Sequence, residues 1–270
     1  FEVEIWNWTT KNLSELASTG ATFSSMTGYI EGDLLESDGI ENLLTTARQS
    51  LEASLIIDCP RLNVHGTGLD SNGQAIKQKS STTPAEFATA VSTLTRLAEL
   101  GAEYGKVFTL ENLNLLVDHP GTPFALASET LALIKAVDHP NLRLNLDLYH
   151  AQIGEGNLTA LVAECFDYIG EIQVADVPGR MQPGTGEINY KRIAAELKTL
   201  DYTGVVGLDA EVVQRAGDAV AGDEDQLERR LGDGEVGVSL THLGRSRTEQ
   251  LAVERDGLVE ISDVQGQLYS

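Results

Sequence analysis

The 270-residue chain has only two cysteines, two tryptophans, two methionines and seven prolines. Two cysteines, Cys59 and Cys165, cannot build a disulfide framework, so a reducing, cytoplasmic setting with inert buried thiols is the expectation. No run approaches the roughly 18 apolar residues that a membrane span needs. The opening Phe1-Glu2-Val3-Glu4 has neither the basic start nor the apolar stretch of a signal peptide. It also has no initiator Met, so the expected true start lies upstream. Positive charge is in short supply: 19 Lys and Arg face 41 Asp and Glu, a formal charge of −22. Such a field repels nucleic acid and anionic membranes, so neither is an expected partner. A small-molecule substrate is expected instead, with homo-oligomerisation left open.

Apart from solubility, so acidic a surface fits a high-salt, halophilic interior. Carboxylates there hold water while ions screen their repulsion.

Short apolar, β-branched runs alternate with helical patterns. Strands are predicted over 2–8, 21–25, 53–58, 107–112, 143–149, 169–175 and 204–210. Helices are predicted over 11–18, 38–52, 84–104, 128–137, 157–166 and 189–200. The 84–104 helix carries a capping signal in Thr83-Pro84-Ala85-Glu86, and Gly105 stops it. Alternation of this kind means a parallel sheet with helical crossovers. Seven strands are one short of a (β/α)8 TIM barrel, and the missing first strand is expected before Phe1. A doubly wound open sheet competes, but no glycine-rich nucleotide loop follows the first strand. The polar stretch 66–83 reads as a mobile loop.

Residues 210–270 differ in kind. They contain no Lys, Pro, Phe or Trp yet hold half of the arginines. The expected division is therefore a barrel over 1–209 and an atypical C-terminal segment over 210–270. That segment is a tail, an interaction segment or the product of a shifted reading frame, and 258–262 is a candidate to cover a sheet edge.

In such a barrel the chemistry sits where strands end. Four successive strands place an oxygen-bearing side chain there: Glu111, Asp147, Gln173 and Asp209. Buried charge is costly unless paired or bound to a cation. Their convergence points to a divalent metal, and all-oxygen ligation favours Mg²⁺ or Mn²⁺. Asp147-x-x-His150 adds a second group at one strand end. Trp6 reads as core, Trp8 as a pocket wall, and His65 as a possible entrant to the pocket. His119, His139 and His242 read as loop or surface residues.

These segments carry a resemblance. Leu110-Glu111-Asn112-Leu113-Asn114, Asp118-His119-Pro120-Gly121, Asn145 to Gln152 and above all Ile172 to Tyr190 (IQVADVPGRMQPGTGEINY) resemble the hydroxypyruvate isomerase family. That family lies within the xylose isomerase-like barrels, beside tagatose epimerases and endonuclease IV. The resemblance covers roughly 1–209. It implies metal ligation by Glu111, Asp147 and Gln173, with His150 and Arg180 facing substrate. The epimerases place a His at the Gln173 position. The resemblance further implies a metal-dependent, aldose–ketose type isomerisation of hydroxypyruvate to 2-hydroxy-3-oxopropanoate through an enediolate, with Glu111 and Asp209 as the proton-transferring pair. The alternatives are a sugar isomerase or 3-epimerase of the same superfamily, or a degenerate, non-catalytic barrel. An endonuclease would need more histidine ligands and less negative charge. The family's fourth ligand is a Glu in a Gly-x-Glu pattern, whereas Gly207-Leu208 precede Asp209 here. The shorter side chain withdraws the carboxylate by about 1.3 Å. Glu211, two residues on, is a possible substitute ligand.

The acidic surface gives the first testable outcome: the melting temperature rises as KCl is added to molar levels. A flat or falling trend excludes the high-salt reading.

Overall fold

A computed structural model describes residues 2–70 and 72–210, together with the backbone of 236–240. Seven parallel strands form most of a barrel: β1 (Glu2–Ile5), β2 (Thr22–Thr27), β3 (Arg61–Val64), β4 (Val107–Glu111), β5 (Leu142–Asp147), β6 (Ile169–Val174) and β7 (Val205–Leu208). The gap between β7 and β1 is closed by β8 (Val236–Leu240), which pairs antiparallel with both. The place of the missing parallel strand is thus filled from the compositionally odd segment. Pairing both open edges removes the unsatisfied backbone groups that seven strands alone would present. The proposed edge-covering stretch 258–262 lies outside the described residues, as do His242 and Glu211.

Helices α1 (Leu13–Ser18), α2 (Ser37–Ile57), α3 (Pro84–Tyr104), α4 (Ala127–Val137), α5 (Leu148–Gly154), α6 (Leu158–Cys165) and α7 (Tyr190–Thr199) complete the described elements. No helix among the described residues is long and apolar enough to cross a membrane. The capping signal of α3 is realised: Thr83 Oγ1 accepts from the Glu86 N–H, and the Glu86 carboxylate accepts from the Thr83 N–H.

Two boundaries correct the sequence reading. Residues 53–57 are not a strand but the last turns of α2. Their apolar run continues a helical stripe through Leu43, Ala47, Leu51 and Ser54, and Leu55 and Ile56 face outward. A short apolar run alone does not distinguish a buried strand from a helix. The true strand, β3, starts after Pro60 and carries Asn63 into the barrel. Likewise β5 stops at Asp147, because the Asp147 carboxylate accepts from the His150 backbone N–H and caps α5 at once. That cap fixes His150 one turn above Asp147.

Among its described residues the polar stretch 66–83 contains no helix or strand, but it is tied down. Thr67 bridges to Asp33, Leu69 to Ala75, and the Lys79 N–H bonds to Gly121.

The barrel axis is polar. Glu4, Asn63, Thr109, Asn145, Glu171 and Gln173 are all buried. Gln173 donates to Glu4 at 3.0 Å and accepts from Asn145 at 2.8 Å. Gly207 makes room for this arrangement, since a Cβ there would meet Glu4 Oε1 at 2.1 Å. Burial raises the Glu171 carboxyl to about 7, and burial together with the nearby Glu171 and Asp209 raises Glu4 well above its usual range.

An acid whose folded-state pKa is raised destabilises the fold once it must ionise. The Glu171 penalty is absent below about pH 4.5, grows as pH rises, and is complete above about 7. A shift of this size corresponds to about 3 kcal/mol. Glu171→Gln should therefore raise the melting temperature at pH 8 by about 5 °C or more and flatten its decline between pH 4.5 and 7. An unchanged pH–stability profile would refute this origin of the pH dependence.

Candidate active site

The carboxyl ends of the strands open into a cavity of about 980 Å³. Glu111 ends β4 and Asp147 ends β5, so parallel pairing brings both to the same end of the barrel, where Glu111 lines the cavity. Potential ligand atoms of Glu111, Asp147 and His150, all buried, lie within 4.8 Å of one another. His150 Nε2 is 3.9 Å from Glu111 Oε1 and 3.9 Å from Asp147 Oδ2. That is too long for a hydrogen bond, and this nitrogen is a buried atom without a partner.

Glu111 is held firmly. Its Oε2 accepts a very short hydrogen bond from Asn63 Nδ2 and another from His65 Nε2 at 3.1 Å. His65 is braced in turn by Tyr29, whose hydroxyl lies 3.0 Å from Nδ1 and donates to the Thr67 carbonyl. Burial pushes the Glu111 carboxyl up, but the bonds and charge of His65, with Asn63 and Arg180, outweigh it and leave the group below its usual range. Asp147 goes the other way. Burial, then the charge of Glu111, raises it well above normal, against the pull of Arg180. Two neighbouring carboxyls with opposed tendencies are a common mark of acid–base sites. Burial, followed by the positive charge of Arg180, holds His150 well below its usual value, hence neutral.

Gln173 lies beside Asp147 in register, and its amide is shared between Asn145 and Glu4. Asp209, just beyond β7, receives a very short ion pair from Arg180, whose Nε also donates to the Asp209 carbonyl at 3.3 Å. Arg180 reaches in from the loop after β6, with its guanidinium over the Tyr149 ring at 5.7 Å. The charge of Asp209 acts on both Asp147 and Arg180, which places Glu111, Asp147, Asp209 and Arg180 in one electrostatic neighbourhood.

Of the two tryptophans, only Trp6 departs from its expected part. Trp6 is not core: it lines the cavity and stacks on His65, centroids 6.5 Å apart. Trp8 also lines the cavity, but it packs against the core, and its indole N–H is spent on Ser50 at 3.0 Å. His119 is no surface residue. It is buried, lines the cavity, stands edge-on to His150 at 5.0 Å, and has Nδ1 2.6 Å from the Gly73 carbonyl. The polar loop 66–83 supplies that anchor, which sequence spacing could not show. Sequence reasoning gave no role to Tyr29 or Asn63, and Asn145 appeared there only within a motif. Asn114 was legible only as part of a motif.

Comparison with known proteins fits this geometry. A family model described as "Xylose isomerase-like TIM barrel" matches residues 9–231. The chain belongs to the xylose isomerase-like TIM barrel family. It is 33% identical over 193 residues to the 2-oxo-tetronate isomerase of Pectobacterium atrosepticum, across 72% of this chain and 70% of that protein. It is 37% identical over 133 residues to the hydroxypyruvate isomerase of Escherichia coli, across 47% of this chain and 51% of that protein. The chain thus spans about half the length of the latter relative. Among solved structures, a family 2 AP endonuclease from Brucella melitensis superposes with a TM-score of 0.66 at 25% identity, covering 77% of this chain and 81% of that one. A D-psicose 3-epimerase from Clostridium cellulolyticum superposes with 0.62 at 21% identity, over 75% and 70% of the two chains, which speaks for the fold alone.

The Asn63 contact can be tested directly. Asn63→Asp has the same shape but sets another carboxylate against Glu111 inside the barrel. We expect a loss of about 3 kcal/mol at pH 8 in urea denaturation, shrinking below pH 6 as a carboxyl protonates. Wild-type stability at pH 8 would contradict the assigned hydrogen bond.

Proposed function

We propose that the chain is an isomerase of a small hydroxy-carbonyl acid, converting hydroxypyruvate to 2-hydroxy-3-oxopropanoate. One observation carries the reading: the buried carboxyls of Glu111 and Asp147 come within 4.8 Å of each other beside His150, in a barrel whose relatives are hydroxypyruvate and 2-oxo-tetronate isomerases.

The donor set fits a divalent cation. Glu111 Oε1 and Asp147 Oδ2 each lie 3.9 Å from one imidazole nitrogen, and both carboxyls are cut off from bulk water. Buried carboxylates facing a shared gap are relieved by a cation. Glu111, Asp147, Gln173 and Asp209 would hold Mg²⁺ or Mn²⁺. The bound ion would supply Lewis-acid polarisation of the substrate carbonyl and hydroxyl oxygens.

The remaining steps belong to the chain. Glu111, kept ionised by His65 and Asn63, takes a proton from the hydroxymethyl carbon beside the carbonyl. Electrons move into the enediolate. Asp209, which takes up a proton in the substrate complex, delivers it to the former carbonyl carbon while the substrate's hydroxyl proton passes to the former carbonyl oxygen, and exchange of the Glu111 proton through solvent then resets both acids. Arg180 meets the substrate carboxylate. A guanidinium has five N–H donors, so the bonds to Asp209 leave others for the substrate. The Arg180–Asp209 pair also offers an account of the shorter acid at this position, since the cation fixes the carboxylate that has lost one methylene of reach. Trp6 and Trp8 form an apolar wall that limits access of water.

The competing reading, a sugar isomerase or 3-epimerase, rests on the fold and on the cavity, which exceeds a three-carbon acid. A panel of hydroxypyruvate, 2-oxo-tetronate and ketohexoses with Mg²⁺ and Mn²⁺ separates them. We expect turnover of the hydroxy-carbonyl acids, and a kcat lowered about 10²–10⁴-fold in Glu111→Gln with an unchanged circular dichroism spectrum. Ketohexose turnover alone, or full activity in Glu111→Gln, would overturn the assignment.

A further inference from the structure

The Glu111–Asp147–His150 group can be read as a three-ligand metal site. The surroundings of His150 exclude that and give it a different task. Asn114 contacts four groups. Its Oδ1 accepts from the backbone N–H of Val117 and of Asp118, each at 3.0 Å. Its Nδ2 donates to Asp118 Oδ2 at 2.5 Å and lies 2.7 Å from His150 Nδ1. Rotating the amide by half a turn would set its oxygen against the Asp118 carboxylate and its NH₂ against two N–H groups. The amide orientation is therefore dictated, and an N–H points at His150 Nδ1.

A nitrogen that accepts a hydrogen bond carries no proton. The neutral imidazole must then carry its proton on Nε2. That nitrogen is buried, has no partner, and faces the gap between Glu111 and Asp147. An N–H has no lone pair to offer a cation. We propose that Asn114 is a positioning residue that locks His150, which the family resemblance already sets toward the substrate, as an Nε2–H donor to the substrate oxygen on which negative charge develops. The substrate part rests on the isomerase reading above; the tautomer does not.

The arrangement is chemically apt. A neutral imidazole N–H can polarise a carbonyl without surrendering its proton to the enediolate, and a preorganised donor in a dry site acts more strongly than water. His119 and Tyr149 stack edge-on against the ring, 5.0 and 5.2 Å away, and keep its plane fixed.

The test uses the full chain labelled with ¹⁵N-histidine. Long-range ¹H–¹⁵N correlation spectra report which ring nitrogen is protonated, and a His150→Gln spectrum identifies the His150 signals. We expect wild-type His150 to be protonated at Nε2 and bare at Nδ1, and to stay so when Mg²⁺ is added. A proton on Nδ1, or loss of the Nε2 proton to Mg²⁺, overturns the proposal. Asn114→Asp keeps the acceptor for Val117 and Asp118 but presents an oxygen to Nδ1. It should move a proton onto Nδ1 and lower kcat about a hundredfold, with a smaller change in KM. A shifted proton with unchanged kcat overturns the catalytic part. If the wild type turns over none of the hydroxy-carbonyl acids, the isomerase reading fails while the tautomer result stands by itself.

Discussion

The structure depends on how negative charge is held away from water. Five carboxyl groups, Glu4, Glu111, Asp147, Glu171 and Asp209, are buried in or at the mouth of one barrel, in a chain already at −22. Arg180 is the strong counter-charge at the mouth, and it goes to Asp209. Glu111 is served by Asn63 and His65, and Gln173 spans Glu4 and Asn145. Asp147 and the two axial acids are left with raised pKa values. A hydrogen-bonded floor of this kind gives up stability for position: side chains that could not be buried alone are fixed because each satisfies another.

Much of this was legible from residue patterns. Parallel strands put their carboxyl ends at one face, so reading the last residues of each strand singled out Glu111, Asp147, Gln173 and Asp209, which are buried at that end of the barrel. The capping signal at Thr83–Glu86 located α3. The failures have physical causes. Residues 53–58 are apolar on several sides, so their run of hydrophobics hid the helical period of α2. Asp147 is both strand end and helix cap, and no alternation marks such a handover. His119 and Asn114 act through contacts with Gly73, Asp118 and His150 that loop conformation creates. Closure of the ring was the least legible feature, because β8 comes from the segment with the least barrel-like composition and runs antiparallel.

The same physics links fold to chemistry. Asp147 ends β5, caps α5 and so places His150 above itself. His150 is then oriented by Asn114, which follows β4 three residues after Glu111. Two strand ends thus supply carboxylates, and the helix after one and the loop after the other supply an imidazole and the amide that orients it. Arg180, from the loop after β6, reaches across to the end of β7.

The central claim is that these carboxylates form a site for one divalent cation. Titration calorimetry of Mn²⁺ into the full chain and into Asp147→Asn tests it most directly. The account predicts one Mn²⁺ per chain, with affinity reduced at least about tenfold in the variant, a loss of about 1.4 kcal/mol. Absence of Mn²⁺ binding to the wild type, or equal binding to both proteins, would contradict it.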